Sequence, residues 1–95
     1  MSELINNAVE ALSAKITGSF DSSAKFVIED EGSIVIDGDG VRAADDETEV
    51  TLTADADTFQ AILSGDMDPA AAFMSGNLAV SGDMGIAMKL GGLLS

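Results

Sequence analysis

Carboxylates dominate the reactive groups of this chain, with seventeen Asp and Glu against four Lys and Arg and no histidine, cysteine, tyrosine or tryptophan. The commonest general bases, thiol and imidazole nucleophiles and zinc ligands are therefore absent. Asp45, Asp46, Glu47 and Glu49 make the densest acidic group, and beside a polar turn such a run reads as a solvated loop. The stretch DGDGVRAADDET, from Asp37, brushes against two motifs. As a calcium loop it fails, because Val41 and Thr48 occupy the fifth and twelfth positions, where oxygen donors and a glutamate are required. As a dinucleotide turn, Gly38, Gly40 and Ala43 have the spacing, but Asp39 would face the pyrophosphate and no helix follows. No catalytic residue, metal site or cofactor is assigned.

The remaining chemistry is apolar. Asp68 to Leu90 carries only Asp68, Asp83 and Lys89 as charges, yet holds three of the five methionines. Residues 1–66 contain fifteen acids and three bases, and residues 67–95 two acids and one base, so the formal charge of −13 sits almost wholly in the first two thirds. A field of that sign opposes nucleic acid and anionic lipid surfaces, both of which need a basic patch. Solubility, or adaptation to a salty cytoplasm, is the plain account of the acidity.

Ninety-five residues predict one domain over 1–95 with a single modest core. Hydrophobic residues at 46% and charged ones at 22% are globular values. No run of about 18 apolar residues occurs and the first ten residues lack a signal-peptide pattern, so the expectation is a soluble cytoplasmic protein without stable membrane insertion.

The elements that must position this segment follow from periodicity. Ser2 can cap a helix with Leu4, Ile5, Val9, Leu12 and Ile16 at helical spacing. After a polar loop over residues 17–23, AKFVIE and SIVID alternate and form a hairpin across DEG, with Ala24, Phe26, Ile28, Ile34 and Ile36 inward. Val41 to Ala43 gives a short third strand. EVTLTA and NLAVS alternate through Val50, Leu52, Leu78 and Val80. Asp55 or Asp57 caps a helix that ends at Gly65, Asp68-Pro69 starts another that ends at Gly76, and Asp83 caps MGIAMKLGGLL. One apolar and one polar sheet face indicate a mainly antiparallel sheet covered by helices on one side. On the last helix, Ile86, Ala87, Leu90 and, if the helix continues, Leu93 and Leu94 share one face while Met84 and Met88 form a second apolar flank. That flank requires a second neighbour: other helices of the domain, a partner subunit or a ligand.

The string GDMDPAAAFMSGNLAVSGDMGIAMKL, residues 65–90, closely resembles the signature of the sterol carrier protein 2 family through Asp68-Pro69, Phe73-Met74-Ser75-Gly76, Gly82-Asp83 and Met88-Lys89-Leu90. A looser likeness extends over residues 24–94, and a bacterial single-domain member is expected. The resemblance implies an α+β domain: a five-stranded, mostly antiparallel twisted sheet, helices on one face and an apolar tunnel between them for sterols, fatty acyl chains or other lipids. It also implies a lining of Phe59, Ile62, Leu63, Phe73, Met74, Leu78, Met84 and Met88. Methionine suits a wall that must fit several ligands. The paired Gly91-Gly92 are expected to end the last helix and let Leu93 and Leu94 fold over the mouth of the cavity. No peroxisomal tripeptide of the SKL type closes the chain. Acidity disfavours docking on anionic membranes and binding of acyl-CoA, which leaves a neutral or singly charged lipid.

Two functions remain. The first is non-catalytic binding and carrying of a lipid. The second is an interaction module whose apolar helices form a homodimer or dock onto a lipid-modifying enzyme.

Overall fold

The computed structural model describes residues 3–16 and 20–94, with the backbone alone given for Leu94. Helix α1 (Glu3–Lys15) precedes strands β1 (Ala24–Ile28), β2 (Gly32–Asp37), β3 (Gly40–Ala43) and β4 (Val50–Ala54). Helices α2 (Ala56–Ser64) and α3 (Pro69–Met74), strand β5 (Leu78–Gly82) and helix α4 (Met84–Leu94) complete the order. The five strands form one sheet in the order β3-β2-β1-β4-β5. Three neighbouring pairs are antiparallel and one, β1 with β4, is parallel.

Alternation decides which face is dry. Ala24, Phe26 and Ile28 of β1, Ile34 and Ile36 of β2, and Val50, Leu52 and Ala54 of β4 are all buried. The helices lie against that face: α1 over β2 and β3, α4 over β4, β1 and β5, and α3 beside β5. Phe59 and Ile62, on the inner stripe of α2, are fully buried, and the Phe59 ring packs 5.2 Å from that of Phe26. The outer face is mixed, with Val27, Val35 and Ala79 among Lys25, Ser33, Arg42, Thr51, Thr53 and Ser81, and the cross-strand neighbours of Val35 are Lys25 and Arg42. Val35 is nonetheless buried, as expected where long basic stems lie over an apolar neighbour.

Local signals account for the joints. The amide of Asp39 donates to Asp37 Oδ1 at 2.9 Å, and Gly40 takes a φ of 118°, so DGDG is a two-residue hairpin turn. Asp55 caps α2 by accepting from the Thr58 amide at 2.7 Å, and Gly65 closes that helix in the left-handed region. Asp83 Oδ1 accepts from the Ile86 amide at 3.2 Å at the start of α4.

The expectation for the paired glycines requires correction. Gly91 and Gly92 do not end α4, which runs on to Leu94. Fully buried Leu90 fixes the preceding turn, and an added Cβ at Gly91 would meet Pro69 of α3 at 3.7 Å, ordinary contact distance, so tertiary packing overrides the helix-breaking tendency. The cap expected of Ser2 lies outside the described residues.

Candidate functional site

A concavity of about 350 Å³ opens between α3, β5 and α4. Its floor is Leu52 of β4 with Leu78 and Val80 of β5; Leu52 and Val80 are direct cross-strand partners. Phe73, Met74 and Ala70 of α3 form one wall, and Met84, Ala87 and Met88 of α4 the other. Gly91 and Gly92 on one side and Asp68 and Pro69 on the other complete it. The volume lies at the lower end of the roughly 300–1,000 Å³ usual for ligand pockets.

The walls are held from behind. Pro69 begins α3 at its first turn, where a missing amide costs nothing, and Ala72 on its inner side is fully buried. Ala87 and Leu90 anchor α4 to the sheet. The exposed large hydrophobic residues among those described are Phe73, Met74, Met84, Met88 and Leu93, all on α3 and α4, and the first four line the groove. Met74 and Met88 are 86% and 75% exposed, so the concavity is an open groove.

Its electrostatics are plain. Asp68 is the charged side chain of the lining. Lys89, next to Met88 in sequence, pairs with Asp21 and sits 5.8 Å from the centre of the Phe20 ring. The carboxyls held below their ordinary value all lie elsewhere: Asp21 by its hydrogen bond from Lys89, Asp37 by Arg42, Asp45 by Lys25 and Asp55 by the Thr58 amide. No group of three or more acidic side chains among the described residues could hold a metal ion.

The expected lining residues fall into three places. Phe73, Met74, Leu78, Met84 and Met88 line the groove. Phe59 and Leu63 instead border a second concavity of about 300 Å³ between α1 and α2, with Leu4, Ala8 and Ala11. Ile62 lies in the core. The inner stripe of α2 fills the centre of the helix–sheet interface and so divides the single apolar space expected there. Leu93 lies 41% exposed at the end of α4, and the Leu94 side chain lies outside the described residues. Leu52 and Val80 were absent from the expected lining, although their inward alternation in β4 and β5 was the signal that could have supplied them.

The chain is thus a small α+β domain with helices on one face of a five-stranded sheet and an apolar groove between α3, β5 and α4. The chain belongs to the SCP-2 sterol transfer family, whose match spans residues 3–95. It is 40% identical over 47 residues to the human protein called sterol carrier protein 2, covering 50% of this chain and 9% of that protein. It is 41% identical over 44 residues to hydroxysteroid dehydrogenase-like protein 2 of Danio rerio, covering 46% of this chain and 11% of that protein. The chain thus spans about a tenth of the length of these curated relatives. Among solved structures, palmitated SCP2L2 from Aedes aegypti aligns at a TM-score of 0.77 and 20% identity, covering 99% of this chain and 95% of that one. The complex of Aedes aegypti sterol carrier protein 2 with palmitate aligns at 0.73 and 21%, covering 100% and 97%. These likenesses show the fold. No described helix is long and apolar enough to cross a membrane.

Proposed function

We propose that this chain binds and carries a lipid with a single long apolar chain, without catalysing its conversion, and that the groove between α3, β5 and α4 holds it. One observation carries the reading: the large apolar side chains left exposed among the described residues gather on the two helices that wall one concavity. Two solved relatives of the same fold hold palmitate, which supports a fatty-acyl ligand. Burying about a dozen methylenes at about 0.8 kcal/mol each yields roughly 10 kcal/mol. Association and ordering remove about 4 kcal/mol or more. The remainder corresponds to a dissociation constant of tens of micromolar with no head-group contact. Flexible thioethers let the walls close over chains of different shape.

Native mass spectrometry of the purified protein tests the reading directly, with a bound mass of a few hundred daltons, lost on mild activation, as the expected result. In solution, a fluorescent fatty-acid analogue should bind the wild type and bind Met88→Asp at least about tenfold more weakly, because a carboxylate there would be desolvated by the chain. Equal affinities would overturn the assignment to this groove. A second reading, a module that dimerises or docks onto a lipid-modifying enzyme, is favoured by the protrusion of Met74 and Met88. A ligand-free dimer in the same spectra would support it.

A further inference from the structure

We infer that the α3–α4 face is a reversible docking surface for an electrically neutral, zwitterionic lipid bilayer. The inference rests on the lipid-carrier reading for its purpose, but the docking is measured without ligand.

Two independent features coincide on this face. The first is shape and chemistry. Met74 and Met88 stand 86% and 75% exposed on opposite walls of the groove, with Phe73 and Met84 each a little under half exposed beside them. Long unbranched or aromatic side chains at such positions can enter the head-group and acyl boundary without burying a fixed charge. The second is charge. Of seventeen acids, only Asp68 and Asp83 fall in residues 67–95, and the one base there, Lys89, is engaged by Asp21. Asp68 is the one charged side chain among the described residues that line the groove, so the groove is a nearly neutral window on a molecule of formal charge −13.

Charge then selects the occupant. An anionic membrane meets a repulsive molecule that has no free basic cluster on this face to offset the repulsion. A second copy would bring another formal −13 against the first, which opposes self-association at low salt. A basic protein would be drawn to residues 1–66, where fifteen of the acids reside, and away from this window. A neutral interface with hydrocarbon beneath it asks for apolar tips and tolerates the remote negative field. Because the groove opens between those same tips, a chain could pass from bilayer to groove without crossing water.

The test is sedimentation or flotation of the ligand-free protein with large vesicles at low salt. Vesicles of phosphatidylcholine should bind the protein reversibly, and vesicles with about 30% phosphatidylserine should bind it several-fold more weakly. The deficit should shrink as salt is raised toward about 1 M. Met74→Ser with Met88→Ser should lower partition onto phosphatidylcholine about tenfold or more, whereas Glu31→Gln, in the exposed turn between β1 and β2, should leave it unchanged. Preference for the anionic vesicles, indifference to the double substitution, or loss of binding because the protein is a dimer through this face would each overturn the inference. Wild-type protein that takes up the fluorescent fatty acid in solution yet ignores both vesicles sinks the docking surface alone. Protein that partitions but takes up no fatty acid sinks the carrier reading alone.

Discussion

Gly82→Ala and Gly92→Ala are the same chemical change, 10 residues apart, and the structure gives them opposite signs. At Gly82, the last residue of β5, φ is 109°, a region that L side chains rarely adopt. Holding a non-glycine residue there costs roughly 1–3 kcal/mol. An added Cβ would also lie 2.5 Å from the carbonyl oxygen of Glu49 and 3.0 Å from Val50 Cα, both backbone atoms that cannot rotate away. Forced overpacking of that kind adds about 1–3 kcal/mol. The struck oxygen is the one that accepts the Asp83 amide at 3.1 Å, so the insult reaches the cap of α4 and the groove wall it supports. A total of about 2–6 kcal/mol should lower the melting temperature by roughly 10–30 °C in a domain of this size. Gly92 lies inside α4 with nothing within 4 Å of an added Cβ, and alanine there should stabilise by about 0.5–1 kcal/mol through helix propensity and a less flexible unfolded chain. Far-UV circular dichroism suits both measurements, because the chain has no Trp or Tyr to report by fluorescence. A Gly82→Ala protein that melts with the wild type, or a Gly92→Ala protein that loses several degrees, would refute the reasoning.

Phe59→Ala removes a fully buried ring packed on Phe26 and should cost about 3–5 kcal/mol in urea unfolding; a loss below about 1 kcal/mol would show that α2 does not hold the core. Raising NaCl from about 0.1 to about 1 M shortens the screening length from about 10 to about 3 Å. With a formal charge of −13 against few ion pairs, the melting temperature should rise over that range, and a fall would mean that the pairs outweigh the self-repulsion. Asp55 sits below its ordinary value of 3.8 because the carboxylate accepts the Thr58 amide. Its contribution is therefore present above that pH and lost as pH falls through the lower folded value. The stability gap between wild type and Asp55→Asn should close in the acid limb of a pH series, and a gap that widens there contradicts the sign.

Most of the scaffold was legible because it is written in alternation and punctuation. AKFVIE and SIVID specify their own hairpin, Asp55 and Gly65 bracket α2, and Asp68-Pro69 starts α3 as expected. The parallel pairing of β1 with β4 was not legible, since alternation fixes the face of a strand and not its neighbour. Burial of Val35 escaped for a related reason: Lys25 and Arg42, its neighbours across the strands, sit on β1 and β3, and alternation within β2 does not name them. The site divides along the same line. Helical spacing shows that Phe59, Ile62 and Leu63 are apolar positions of α2, but only packing shows Ile62 in the core and Phe59 and Leu63 beside α1. The continuation of α4 through Gly91 and Gly92 depends on contact with Pro69, more than 20 residues earlier.

The two apolar flanks of α4 separate what a core methionine does from what a binding methionine does. Truncating a buried methionine usually costs about 2–5 kcal/mol, because its contacts vanish and a cavity remains. Met88 is 75% exposed, while Ala87, one residue before it, and Leu90, two residues after it, hold α4 on the sheet. Met88→Ser should therefore change stability by no more than about 0.5 kcal/mol. The same substitution removes apolar area from the groove and should weaken a bound acyl chain several-fold. Urea unfolding and probe titration on the one variant read the two quantities independently. A protein made markedly less stable by the change would return Met88 to the core and leave the groove without its second wall. A protein unchanged in both would leave the exposed flank of α4 without a role in holding a ligand.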